Sequence, residues 1–337
     1  MDTNLLKKLG NIAQLAGVRE SVLMDGRGKG LHIAEFYNAA GLRFTVCPDR
    51  CMDIIDMSYK GVNLSFQSKN GPISGTFTSP LPEEFCDQWP GGMLVTCGLD
   101  NVGAGKHGDS ICPTHGRISC IPAEHFGTDA SWQEDDYILS ARGEIHQTRL
   151  YGRHLLLSRE ITATLNGRSL TLCDHLTNLE PADEPFMLLY HTNFGYPILD
   201  KDSLVYTSAS EIEPRNELSV DPVHMMPPVD GRSEELYFHI PRSGIAWGAI
   251  INPHLNLGAY IAFDTQNLPF FSEWKNMRSH DYVLAIEPCN CHGDGRAAEL
   301  ETGRIAILPG YSTLCYTLRI GVLDGAEDIQ TFLHSQQ

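Results

Sequence analysis

Residues 154–179, HLLLSREITATLNGRSLTLCDHLTNL, decide the fold class. Ile161, Ala163 and Leu165 alternate with Thr162 and Thr164, the period-two pattern of a half-buried strand. Asn166-Gly167 follows, a dipeptide favoured in type I′ turns because both central residues take positive φ. Leu170 and Leu172 then resume the alternation, so the stretch predicts an antiparallel hairpin. The same texture spreads outward in both directions. Short runs rich in Val, Ile, Leu, Phe and Tyr stand between Gly, Asn, Asp and Pro turns at 42–48, 62–66, 186–194, 244–252, 257–263, 282–288, 304–308 and 313–322. Helical patterns of about ten residues do not separate them, which argues against a parallel α/β sheet. Near the start, Leu5, Leu6, Leu9, Ile12 and Leu15 recur at helical spacing, predicting one short amphipathic helix that Gly17 ends. The expected fold is all-β: a large antiparallel β-sandwich with minor helix. It is read as a single domain over 1–337, with 1–17 as a helix packed on it. The Pro- and Gly-rich stretches at 70–90 and 214–231 read as long loops, where a β scaffold often builds its site.

Composition excludes several classes of function. A chain of 337 residues, 42% apolar and 20% charged, is globular rather than disordered or collagenous. Its formal charge of −17, with no basic stripe, repels nucleic acid and leaves small uncharged ligands such as sugars as natural partners. The first residues, MDTNLLKKLG, carry no signal-peptide apolar run, and no later segment is apolar for the roughly 18 residues a membrane span requires. A cytoplasmic location without membrane partners is expected. Ten cysteines without a C-x-x-C pair are expected to be reduced thiols, mostly buried.

Three polar clusters interrupt this strand-like sequence: Thr114-His-Gly-Arg-Ile118, Leu189-Tyr-His-Thr-Asn-Phe-Gly195 and Leu284-Ala-Ile-Glu-Pro-Cys-Asn290. An ionisable group in a β core is paired, opens into a cleft or has a shifted pKa, and the last outcome is one that acid–base catalysis uses. Glu287 follows an apolar run and precedes Pro288, which suits a strand end at a sandwich rim; a strand-end ion pair would suit it equally. His191 ends the run Met187-LLY and could be a hydrogen-bonded core histidine. Together, an imidazole and a carboxylate supply a proton donor and an acceptor near neutral pH without a cofactor.

In order and spacing these motifs resemble the aldose 1-epimerases of the galactose mutarotase-like superfamily. The matching features are H-G, then the strand-end Y-H-x-N-F, then A-I-E-P, then Leu308-Pro-Gly310. Pro48-Asp-Arg-Cys-Met-Asp-Ile54 and the H-G-R-I-S stretch are similar to a divergent subgroup of that family. The matches span roughly 43–319. The resemblance implies a β supersandwich, with His191 as the general acid that protonates the ring oxygen and Glu287 as the base that takes the anomeric proton. It also implies that His115 holds the sugar. The usual family carries N-R-I before L-H-G, whereas Asp100-Asn-Val occupies that region here.

Mutarotation needs two opposed groups. The hemiacetal opens as its anomeric hydroxyl loses a proton and its ring oxygen gains one; rotation about C1–C2 and reclosure give the other anomer. Positioned proton transfer contributes about 10²–10⁴-fold. Planar guanidinium forks on Arg50 and Arg117 could grip hydroxyls or an acidic substituent, although Arg50 beside Asp49 and Asp53 suits an ion pair as well. Trp274, within Ser272-Glu-Trp-Lys-Asn276, could be a platform for a pyranose face or a packed tryptophan. Lys275 could grip an anion, and Asn193 completes the candidate substrate-binding set.

Other chemistries stay open at this level. Cys289-Asn-Cys291-His292 has soft ligands of the kind zinc takes, yet the resemblance implies neither metal nor cofactor, and the expected reading has none. A non-catalytic carbohydrate-binding protein is an alternative, as is an isomerase or epimerase acting at another carbon, because fold alone does not choose a chemistry. The expected partner is a small-molecule carbohydrate, and a homodimer is compatible with that reading.

Overall fold

The structure, a computed structural model, describes residues 7–75, 78–79, 81–107 and 110–335. Two large antiparallel sheets dominate it, one of twelve strands and one of eight. The hairpin read from Asn166-Gly167 forms between His154–Thr164 and Ser169–Asn178, with Ala163 opposite Leu170. It lies inside the eight-stranded sheet, between Asp136–Thr148 on one side and Thr313–Asp324 on the other. At the middle of the larger sheet, Leu94–Leu99, Glu184–Phe194, Asp281–Cys289 and Phe270–Arg278 run side by side.

Each sheet buries one face against the other. From the larger sheet come Leu188, Tyr190, Phe194, Leu284 and Ile286; from the smaller come Leu155, Leu157, Ile161, Leu170 and Leu172, all in one apolar cluster. Each such side chain contributes about 1.5–3 kcal/mol through its burial. The inter-sheet layer also encloses a charged knot. Arg159, fully buried, donates to both oxygens of Asp174 at 2.8 and 2.7 Å, to the Cys51 carbonyl at 2.9 Å and to Asp53 at 3.3 Å. The Tyr190 hydroxyl donates to Asp174 at 2.7 Å, and Thr96 donates to Asp53 from its amide and its hydroxyl. Burial pushes the Asp53 carboxyl up to about 7, against the pull of Arg159. This knot stitches the sheets together directly behind the strand that carries His191.

The antiparallel sandwich is as expected, and two local expectations are corrected. Within 7–15 of the expected Leu5–Leu15 helix, only the 3-10 turn Ile12–Gln14 forms, capped by the Asn11 side chain; residues 1–6 lie outside the described residues. The first long continuous helix is instead C-terminal, Ala326–Ser335. Pro288 does not end its strand, which runs to Cys289. Among the described residues, no helix is long and apolar enough to cross a membrane. All ten cysteines are unpaired, and five of them are buried.

Candidate active site

The cleft lies on the outer face of the twelve-stranded sheet, opposite the inter-sheet core. Strand alternation creates it: on Glu184–Phe194, Tyr190 turns into the core and His191 turns outward. Leu189 pairs with Cys289 and Thr192 with Ile286, a register that sets His191 directly opposite Glu287. Residues so placed have Cβ atoms about 4.5–5.5 Å apart. The ladder between these strands has no pairing at that step, where Pro288 has no N–H to give. On the next strand, Ser272 pairs with Glu287, so His191, Glu287 and Ser272 form one outward row across three strands.

His191 Nε2 lies 2.9 Å from Glu287 Oε1, and the two side chains are 6% and 7% exposed. Their remaining valences are open: His191 Nδ1 has no hydrogen-bond partner among the described residues. Aromatic rings close in on His191, with Trp89, Trp274 and His115 centred 5.2, 5.5 and 5.6 Å away. The cleft above this floor has a volume of about 860 Å³, within the range of small-molecule sites.

His115 arrives on a tight turn. Its φ is 56°; its carbonyl accepts from the Gly98 amide at 2.9 Å, and its own amide donates to Gly103 at 3.1 Å. The following Gly116, at φ 76°, is packed so closely that a Cβ there would collide with the carbonyls of Gly98 and Asn101. The H-G pair is therefore a steric requirement for bringing His115 over the sheet. Burial, reinforced by the charge of His191 and opposed by Glu287, lowers the His115 imidazole to about 4. It is uncharged at neutral pH, and its Nδ1 accepts from the Gly103 amide at 3.5 Å, which leaves Nε2 as a donor.

Four of the sequence-predicted residues thus share the cleft: His191, Glu287, His115 and Trp274. Trp274 donates its indole N–H to Glu234 at 2.7 Å. The other four do not line it. Lys275, next to Trp274 on a strand, points to the opposite face, where its ammonium donates to the carbonyls of Asp221 and His224 at 2.7 and 2.9 Å and pairs with Glu235 at 3.4 Å. Arg50 is buried against the carbonyls of Ser119 and Ile73. Arg117 pairs with Asp100, which also takes Arg153. Asn193 is fully buried and braces the carbonyls of Gly92 and His191 at 2.9 Å each.

Cys289 and Cys291 pack in a small apolar cluster with Cys97, Val102 and Leu189. Burial, helped by the charge of Glu287, pushes the Cys289 thiol up to about 12. The His292 ring packs tilted against Phe238, with centroids 4.1 Å apart. Among the described residues, no three His, Cys, Asp or Glu side chains are arranged to hold a metal.

Sequence reasoning missed Trp89, Phe85, Ser272 and Asn276, all on the cleft wall. Ser272 and Asn276 were within reach, because they stand two residues either side of Trp274 on one strand. Trp89 follows the short helix Phe85–Gln88 inside the 70–90 stretch, where no periodicity marks it.

The profile of the family described as "Domain of unknown function (DUF4432)" matches residues 28–322. No curated protein matches the chain at a significant level. Among solved structures, a protein of Klebsiella pneumoniae subsp. pneumoniae MGH 78578, described provisionally as an aldose 1-epimerase, is similar over 100% of this chain and 90% of its own, with 22% identity and a TM-score of 0.89. The galactose 1-epimerase of Lactobacillus acidophilus NCFM is similar over 92% of this chain and 100% of its own, with 13% identity and a TM-score of 0.59. A galactose mutarotase-like protein of Clostridium acetobutylicum covers 92% and 99%, with 13% identity and a TM-score of 0.59. The fold is therefore the galactose mutarotase-like β-sandwich.

Proposed function

We propose that this chain, which belongs to the DUF4432 family, is an isomerase of the aldose 1-epimerase kind that interconverts the α and β anomers of a small-molecule carbohydrate. The observation that carries the reading is the outward cross-strand pair of His191 and Glu287, 2.9 Å apart on the floor of a cleft. The anomeric and ring oxygens of a hemiacetal sit on one carbon, so the base and the acid that serve them must stand close together. The reading takes the chain as one domain acting in the cytoplasm.

Glu287 takes the proton of the anomeric hydroxyl through the carboxylate oxygen that His191 does not hold. The C1–O5 bond breaks, C1 and O1 become a carbonyl, and the electron pair left on O5 takes a proton from His191. After half a turn about C1–C2, O5 adds to the other face of the carbonyl. Its proton returns to His191, and Glu287 gives its proton back to O1. No atom or electron is left over. His115, uncharged, hydrogen-bonds the sugar near the ring oxygen, and Trp274 with Trp89 forms an apolar wall for its C–H face.

Saturation-transfer NMR on a panel of aldoses tests this. The wild-type chain is expected to speed anomer exchange, and Glu287→Gln and His191→Ala each to slow it by about 10²–10⁴-fold. Exchange that survives in both variants removes these roles. A non-catalytic carbohydrate binder would bind without exchange; the proximity of His191 and Glu287 favours catalysis over that alternative.

A further inference from the structure

The cleft continues well past the row that holds the catalytic pair. Ser272, Trp274, Asn276 and Arg278 are alternate residues of one strand, and all four line it. At about 3.4 Å per residue, Ser272 to Arg278 spans roughly 20 Å, beyond the reach of a single pyranose docked at Glu287. Along this track Lys69 pairs with Asp281 at 2.9 Å and Trp274 is bonded to Glu234, while Asn276 and Arg278 keep open polar groups. Asn276 Oδ1 accepts only the Arg278 amide, and the Arg278 guanidinium has no partner among the described residues. Midway, opposite Trp274, the partner strand presents Ala285, whose small side chain keeps the track unobstructed beside the indole. Toward the other end, by contrast, Arg215 is committed to Asp294 and the His292 carbonyl.

Resting on the proposed function, we infer that the substrate is the reducing end of a di- or oligosaccharide. One ring lies over His191 and Glu287, and a second glycosyl unit lies along Trp274, Asn276 and Arg278. The reducing-end ring keeps its anomeric hydroxyl free and is linked onward through a hydroxyl remote from C1. Trp274 sits at the junction and supports both units, while Asn276 and Arg278 donate to the hydroxyls of the second.

Two measurements test this separately from the catalytic reading. Titration calorimetry on Glu287→Gln with glucose, galactose, cellobiose, maltose and lactose is expected to show at least one disaccharide binding about tenfold tighter than either hexose, the worth of one or two added hydrogen bonds. Arg278→Ala is expected to abolish that preference. Disaccharides that bind no tighter than hexoses, or none that bind, overturn the inference, as does an equal effect of Arg278→Ala on both classes. In the exchange assay, Arg278→Ala is expected to raise the disaccharide KM severalfold more than the hexose KM. Disaccharide binding without exchange by any sugar would sink the catalytic reading and leave the extended track standing.

Discussion

Tyr190 and His191 are chain neighbours on opposite faces of one sheet, and the charged groups around them differ in how completely they are bonded. Behind Tyr190, the Arg159 guanidinium meets four acceptors and Asp174 is held on both oxygens. In front, His191 and Glu287 form one ion pair with each other, and His191 Nδ1 has no partner among the described residues. Both places are nearly as dry as the core. Saturated bonding makes the first a fastener; open valence makes the second able to engage a substrate hydroxyl. The inward pair His239 and Glu273 also leaves atoms unbonded but does not line the cleft, so it is unfilled bonding capacity beside a cleft, more than the presence of charge, that marks the candidate site.

The largest effect separating the two regions should come from Arg159→Met. It strands Asp174 and Asp53 without their counter-charge, and breaking a buried pair from one side costs about 3–5 kcal/mol. Urea unfolding should show that loss, whereas Glu287→Gln should leave the midpoint unchanged or higher, since active-site groups are often held at a cost to stability. Equal losses in both variants would erase the distinction. A smaller effect tests the face assignment itself. Lys275→Met should lower stability by about 1–3 kcal/mol, because buried carbonyls and Glu235 lose a donor, with KM for sugar unaffected; a KM effect would return Lys275 to the cleft.

The last effect concerns His115 and is read as a slope against pH. An unfolded histidine takes up its proton near 6.5, and the folded one only near 4. Between those values the unfolded state holds more protons, so stability falls as pH falls and the loss is complete below the lower value. Unfolding free energies measured from pH 7 to 4 should decline less steeply in His115→Gln than in the wild type. Parallel curves would mean that His115 is not desolvated.

Much of this was legible in the chain. The Asn166-Gly167 hairpin and the sandwich follow from period-two patterning, and motif order singled out His191 and Glu287, because an unpaired ionisable group inside an apolar strand is costly enough to stand out. The misreadings share one cause. Trp274 and Lys275 were both assigned to the sugar, yet adjacent strand residues face opposite ways, and the strand FFSEWKNMR went unrecognised because its inward positions include Glu273 and Lys275. Inward charges are tolerated there through partners such as His239, 3.0 Å from Glu273, which lies on the neighbouring strand but is remote in sequence. Arg50, Arg117 and Asn193 failed for the same reason: their acceptors are backbone carbonyls or carboxylates brought in by tertiary folding.

A strand that does separate work on its two sides cannot slip. Deleting one residue between Ser272 and Arg278 would swing Glu273 and Lys275 toward the cleft and drive the indole into the apolar interior, inverting the face in a single step. Length changes are therefore expected in the connecting segments around 66–70 and 85–89, which line the cleft without belonging to that strand. New specificities in relatives of this chain should arise by rebuilding that canopy while the floor keeps its count.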